Sequence, residues 1–167
     1  MKYFTIDWLT EEGPVPRPYG EGYGAYCDRI LPSLPADLQR FVRKCSLHDA
    51  QLTRLELSVT SQVLIAAFLG DHYGEALAPE EKIPSNYARR FRLTYGGVRS
   101  LKSPGNPKER TSGPPGTGVG DLVYDEVELL APGEFEHRML FATGFELQVT
   151  FTDFALWYED FEFHPEA

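Results

Sequence analysis

The stretch EFEHRMLFATGFELQVTFT, residues 134–152, decides the fold class. Apolar and polar residues alternate in two runs on either side of residues 142–144. Alternation with a period of two is typical of half-buried β-strands, and glycine supplies the left-handed backbone that a three-residue hairpin loop needs. The stretch therefore predicts an antiparallel hairpin in which Phe141 lies opposite Phe145 and Gly144 has a positive φ angle.

The two faces of this hairpin are expected to differ in character. The same register places Met139 opposite Leu147 and His137 opposite Val149, on the face that meets the core. Because neighbouring residues of a strand point to opposite faces, the other face is expected to be acidic and to point into solvent. Its candidate binding residues are Glu134, Glu136 and Glu146.

The rest of the chain predicts helices followed by further strands. Residues 20–46 repeat apolar side chains at helical spacing, whereas residues 50–163 are dominated by strand patterns. The run Val63–Leu69 is apolar on both faces, which is typical of a central strand. We therefore predict one α+β domain over residues 1–167, with a helical N-terminal part packed on a mostly antiparallel sheet of about six strands.

Residues 102–120 interrupt this pattern of strands. They are rich in proline, glycine and serine and show no apolar periodicity. A long segment of this composition is typical of a surface loop without secondary structure. We expect it to be a mobile loop.

Composition excludes several classes of protein. The 42% apolar and 13% aromatic content is too high for a disordered chain. The longest apolar run, Val63–Leu69, is far shorter than the about 20 residues that cross a bilayer, and no signal-peptide pattern follows Met1. The two cysteines, Cys27 and Cys45, lie on apolar helix stripes and are expected to be free thiols. These features favour a cytoplasmic protein with no membrane partner.

The net charge of −9 is unevenly distributed. Residues 121–167 hold twelve acidic residues and one basic residue, Arg138, whereas residues 89–110 hold seven basic residues and one acidic residue. Two explanations remain open. A basic strand beside acidic strands would compensate the charge internally, whereas an exposed acidic face would attract a basic protein. A nucleic-acid partner is not expected, since such proteins carry net positive charge.

A second group of candidates consists of histidines and aspartates. His137 is in phase with the core, and Asp125 lies diagonal to it if the preceding strand pairs through a five-residue loop. A different register would put Asp125 on the opposite side. His48 and Asp49 follow the second helix and form either a turn or a general base with its orienting carboxylate. A cleft containing all four would suit a small hydrolase-like or ligand-binding domain.

No cofactor and no metal are expected. The four histidines are dispersed, without a pair at metal-ligand spacing. The segment 113–118 begins like a phosphate-binding loop but continues with Val119 and Gly120, where that loop needs lysine and serine or threonine.

Three short strings carry a resemblance to a known group of proteins. They are Leu47–Ala50 at the start of a strand, Tyr124–Glu126, and Phe135–Phe141. In this order they resemble small bacterial proteins of unknown function, some of which are thought to be immunity partners in toxin systems. The resemblance covers roughly residues 46–60 and 120–155. It implies a binding role and no catalytic residue.

Three hypotheses follow for the function. The first is a non-enzymatic cytoplasmic protein-binding domain whose acidic C-terminal sheet face meets a basic partner, as an immunity-type inhibitor would. The second is the hydrolase-like or ligand-binding domain with a histidine and aspartate cleft. The third is a structural subunit of a homo-oligomer, whose oligomeric state the residues leave open.

Overall fold

A computed structural model describes Tyr3 and residues 18–70, 87–103 and 119–162. Most of the expected mobile loop at 102–120, including the segment 113–118, lies outside these residues. No helix in the described ranges is long and apolar enough to cross a membrane. Cys27 and Cys45 are half-buried thiols that form no disulfide, as expected, and burial raises the pKa of the Cys27 thiol.

The helical N-terminal part is confirmed. Helix α1 covers Pro18–Ile30, a single 3-10 turn covers Leu31–Ser33, and helix α2 covers Ala36–Lys44. Helix α2 has an acidic residue in its first turn and two basic residues in its last turn, which suits the dipole of the helix. Leu38 and Phe41 are its buried residues.

The described residues form eight strands in two antiparallel sheets of four. Sheet A has the order β1-β2-β3-β8 and sheet B the order β4-β7-β6-β5. The strands are β1 Gln51–Ser58, β2 Val63–Gly70, β3 Tyr87–Gly96, β4 Ser100–Lys102, β5 Leu122–Ala131, β6 Glu134–Phe141, β7 Glu146–Phe151 and β8 Asp153–Glu162. The α+β class is thus confirmed, whereas the expectation of one sheet of about six strands is wrong. Strand β2 is internal to sheet A, but only one of its faces is fully buried.

Two bends explain why there are two sheets. The chain leaves sheet A at Gly97, between β3 and β4, and returns at Thr152, between β7 and β8. The Thr152 amide donates to the Gly96 carbonyl at 3.1 Å. Gly97 has a φ of +59°, and a Cβ there would lie 2.1 Å from Thr152 Oγ1. Only glycine fits this corner. A bend of this kind lets the chain pass from one packed sheet to the other.

The predicted hairpin is confirmed in β6 and β7. Met139 lies opposite Leu147 and His137 opposite Val149. The Phe141 amide donates to the Phe145 carbonyl at 2.9 Å, and Gly144 has a φ of +76°. The inner faces of both sheets form the core, where Tyr95 of β3 contacts Phe151 of β7 with 5.0 Å between ring centroids.

The register of β5 on β6 settles the position of Asp125. Val127 lies opposite His137 and Asp125 opposite Met139, so Asp125 is diagonal to His137 on the inner face. This is the register expected for pairing through a five-residue loop. The two strands stay paired closer to the turn than such a loop requires, because a bulge lets Ala131 pair with Glu134.

Both helices cover sheet edges. On β5, the Val127 amide donates to Tyr23 Oη at 2.5 Å and the Leu129 amide to Tyr26 Oη at 2.9 Å. On β8, the Leu156 amide donates to Asp37 Oδ2 of α2 at 3.0 Å. These contacts satisfy edge groups that would otherwise be open to pairing with another chain.

Candidate functional site

The candidate residues of β6 lie on two faces of one strand. His137 points into the core and is fully buried. Its neighbour Arg138 points to the outer face of sheet B, where it meets acidic residues of β5 and β6.

The inner site is a hydrogen-bonded chain of three side chains. His137 Nδ1 lies 2.7 Å from Tyr95 Oη, and His137 Nε2 lies 3.0 Å from Asp125 Oδ2. The ring of Phe41 packs edge-on against the imidazole at 5.3 Å between centroids. Both Tyr95 and His137 have no exposed surface, so a dissolved substrate cannot touch either of them.

The protonation state of Tyr95 follows from burial. Burial, helped by the charge of Asp125, raises the pKa of Tyr95 well above its ordinary value. The phenol therefore keeps its proton and can donate it to Nδ1 of His137. In the tautomer that accepts this proton, the imidazole N–H lies on Nε2 and is donated to Asp125. Each polar atom has a partner, as expected of a polar group inside a core.

The second pair, His48 and Asp49, forms a surface turn. His48 Nδ1 lies 3.0 Å from Asp49 Oδ1, and the two side chains are 56% and 52% exposed. Asp49 has a φ of +62°, which aspartate tolerates in turns, and its amide donates to the Leu122 carbonyl at 2.8 Å. The turn interpretation fits these contacts.

The structure does not bring the four candidate residues of the hydrolase-like hypothesis together in one cleft. It joins Asp125 to His137 and joins His48 to Asp49. The ring of His48 lies 6.1 Å from that of Tyr124, and Tyr124 precedes Asp125 in β5. Since adjacent strand residues point to opposite faces, the two pairs lie on opposite faces of β5.

The outer site centres on Arg138. Its guanidinium lies 3.3 Å from Glu126 and 3.2 Å from Glu128, and it also binds Glu136. The register produces this grouping, because Glu126 lies opposite Arg138 and Glu128 opposite Glu136. Burial alone would lower the pKa of Arg138, but the hydrogen bond and charge of Glu136, with the charge of Glu126, raise that pKa. Three carboxylates thus surround one permanent cation.

The expectation that Glu136 faces solvent is wrong. Its side chain is 5% exposed. It accepts hydrogen bonds from Arg138 and Gln148, and Thr150 Oγ1 lies 3.5 Å from it. Alternation predicts the face correctly but cannot predict that long neighbours on the same face cover a carboxylate. Glu126 is buried for a similar reason, since Arg138 and the Tyr3 amide contact it.

The other two predicted acidic residues are half-buried at the margin of this site. Glu134 is 29% exposed and lies 3.6 Å from Arg99, which is 65% exposed. Glu146 of β7 lies opposite Leu140. We call the outer face of sheet B the acidic face. Its charged residues on β5, β6 and β7 are Glu126, Glu128, Glu134, Glu136, Arg138 and Glu146.

The basic strand compensates acidic residues of sheet A. Strand β3 pairs with β8. Arg89 binds Asp160 at 2.5 and 2.8 Å, and Arg90 binds Glu159 at 2.7 Å. Of the two explanations given for the uneven charge, internal compensation by a basic strand therefore applies to β8. The surplus of negative charge belongs to the acidic face instead.

Sequence reasoning missed three residues that matter here. Tyr95 is in phase with Phe91 and Leu93, which indicates an inward-facing side chain, but its hydroxyl partner lies 42 positions away, beyond the reach of any local pattern. Glu126 and Glu128 alternate with the apolar Val127 and Leu129. This alternation indicates that both glutamates lie on the outer face, so the sequence held the information needed to place them.

Among the described residues, no group of three or more His, Cys, Asp or Glu side chains is arranged to hold a metal ion.

Comparisons with known proteins add no functional assignment. The chain matches no family model, no curated protein and no solved structure.

Proposed function

We propose that this chain is a non-enzymatic protein-binding domain whose acidic face receives a basic segment of a protein partner. The observation that carries the proposal is the arrangement around Arg138. Three carboxylates, two of them almost fully buried, converge on a single guanidinium. The site keeps a surplus of negative charge that a cation from a partner would balance.

The geometry of the site favours a guanidinium or ammonium group as the ligand. Glu128 and Glu136 are like charges directly opposite each other, an arrangement that destabilises a sheet. A second cation beside Arg138 would relieve this repulsion. Arginine suits the site well, because its planar fork binds carboxylates with two hydrogen bonds.

Preorganisation supports binding at this site. Glu136 is held by Arg138 and Gln148, and Glu126 accepts the Tyr3 amide at 2.9 Å. Carboxylates already fixed in place lose little conformational entropy when a ligand binds. Glu126 and Glu136 are too buried to touch a partner, so they supply negative charge, while the more exposed Glu128 and Glu134 make the contacts.

The alternative of a hydrolase-like site has weaker support. Of its four residues, His137 has no exposed surface, and a general base must come within hydrogen-bond reach of its substrate. His48 and Asp49 are exposed but lie on the other face of β5. These positions favour binding over catalysis.

An immunity-type inhibitor is the specific form of binding that we propose. The resemblance of residues 46–60 and 120–155 to possible immunity partners implies it, and a cytoplasmic location would suit it. A basic toxin would then place arginine or lysine residues against the acidic face.

The proposal is tested with a short synthetic oligo-arginine peptide as the probe. Binding is measured by fluorescence anisotropy at low and at physiological salt, for the chain and for the double variant Glu128→Gln/Glu134→Gln. We expect the double variant to bind about tenfold more weakly, and the affinity of the unmodified chain to fall as salt screens the charges.

A matched control removes the same charge from sheet A. The variant Glu159→Gln/Glu162→Gln changes two exposed glutamates of β8 outside the acidic face. It should bind the peptide nearly as well as the unmodified chain. Equal losses in the two double variants would show that net charge alone attracts the peptide, and the proposal would fail.

A further inference from the structure

Strand β1 is the exposed edge of sheet A. The other long edges are contacted by helices, since α1 caps two amides of β5 and α2 caps one amide of β8. Edge strand β4 has only three residues. Within the described residues, β1 is bridged on its outer side at Gln51, which pairs with Asp121. Its remaining length offers backbone groups to another strand.

The side chains of this edge are also exposed. Every residue from Thr53 to Ser58 is exposed. Leu55 and Leu57 are 41% and 42% exposed, and Val59 just beyond the strand is 78% exposed. Open edges with apolar side chains are prone to pair with other chains, and proteins usually block them. Strand β1 lacks the like-charged side chains that would repel a second copy.

The charges on β1 complement those of a second copy. Arg54 and Glu56 flank Leu55 and bind each other within the chain. In an antiparallel pair of two β1 strands centred on Leu55, Leu55 lies opposite its own copy. Arg54 then lies opposite Glu56 of the second copy, and Glu56 opposite Arg54. Opposite charges at facing positions stabilise a pair of strands.

We infer that β1 is the interface of a homodimer in which sheet A of one copy continues into sheet A of the other. The pairing is two-fold symmetric, as expected of a homodimer interface, and it is a form of strand addition. A register centred on Glu56 would place two glutamates opposite each other, and one centred on Leu57 would leave Arg54 and Glu56 without opposite charges. The Leu55 register is therefore favoured. This inference goes beyond the proposed function, because the acidic face lies on sheet B.

Sedimentation equilibrium tests the dimer. We expect the unmodified chain to reach twice the 18.9 kDa mass of one chain within micromolar to millimolar concentrations. The variant Leu55→Lys places like charges on the two-fold axis and should raise the dissociation constant of the dimer about tenfold or more. The control Leu130→Lys changes a leucine that is 46% exposed in another strand, and it should leave the dissociation constant unchanged.

A charge exchange tests the register. Arg54→Glu makes the edge acidic and Glu56→Arg makes it basic, so each variant alone should be monomeric where the unmodified chain is dimeric. An equimolar mixture of the two should form a heterodimer, because every facing pair is again of opposite charge. Circular dichroism checks that each variant is folded.

Three sedimentation results would overturn the inference. They are an unmodified chain that stays monomeric up to millimolar concentration, a dimer that Leu55→Lys and Leu130→Lys weaken equally, and charge variants that do not associate when mixed. Binding of an unrelated extended peptide along β1 without self-association would also overturn it, since the inferred occupant is a second copy.

Discussion

His137 and Arg138 are neighbours in β6, yet their surroundings follow different rules. His137 lies in the core, and each of its ring nitrogens has one partner, Tyr95 or Asp125. Arg138 lies on the acidic face with three carboxylates around it. Each ring nitrogen of the inner site has its partner, whereas the outer site has three negative charges against one positive charge.

This difference separates structure from function. A core polar network stabilises a fold when every member is paired, and nothing in the inner site calls for a ligand. An excess of carboxylates costs stability through repulsion, and a stable sheet does not need it. We therefore assign the inner site to folding, and the outer site is the one that we propose for binding.

The largest expected effect comes from removing the cation of the outer site. Arg138→Met should lower the free energy of unfolding by about 3–5 kcal/mol at neutral pH, because Glu126 and Glu136 would be buried charges without a counterion. Urea denaturation measures this loss. The control Arg99→Met removes a cation that is 65% exposed and should cost less than about 0.5 kcal/mol.

A substitution in the inner site should lower the free energy of unfolding by a smaller amount, because it removes hydrogen bonds. His137→Leu keeps the approximate volume but leaves Tyr95 Oη and Asp125 without their partner, and it should cost about 2–3 kcal/mol in thermal or urea unfolding. His48→Leu, at an exposed position, should change stability by less than about 0.5 kcal/mol. Similar losses at the two histidines would contradict the assignment of His137 to the folding core.

The smallest expected effect is the loss of one hydroxyl. Tyr95→Phe should cost about 1 kcal/mol at neutral pH. Burial raises the pKa of Tyr95 in the folded chain, so its contribution is complete below the unfolded pKa of about 10 and is lost as the pH rises above it, by about 1.4 kcal/mol per pH unit. Burial also raises the pKa of Tyr23, so Tyr95→Phe should reduce this alkaline slope without abolishing it. An unchanged slope would show that Tyr95 ionises freely in the folded chain.

Local patterns predicted the elements that depend on nearby residues. Alternation and one glycine were sufficient for the β6–β7 hairpin, its register and the positive φ of Gly144. The helical N-terminal part followed from apolar spacing and prolines in the same way. In each case, the residues that determine the structure lie within a few positions of one another.

The division into two sheets could not be predicted in this way. It depends on Gly97 and Thr152, which are 55 positions apart and meet at one corner. Each bend is a single residue, so the apolar alternation on either side shows no break. Strand β4, with three residues, is also too short to produce a periodic signal.

The candidate site was predictable in its parts and not in its arrangement. Phase placed Glu136 on the outer face, but its burial arises from Arg138 and Gln148, whose side chains extend over it. The diagonal contact of Asp125 with His137 depended on a register that two loop lengths left open. Burial and register are properties of the assembled sheet, and for this reason they needed the structure.

A titration of the nitrogen-15-labelled chain with the oligo-arginine peptide, followed by amide chemical shifts, tests the central claim most directly. The account predicts saturable shifts concentrated in β5, β6 and β7 around Glu128, Glu134 and Arg138, with the indole of Trp157 in sheet A unchanged. Shifts centred on β8 in sheet A, or a uniform weak response over all acidic residues, would contradict it.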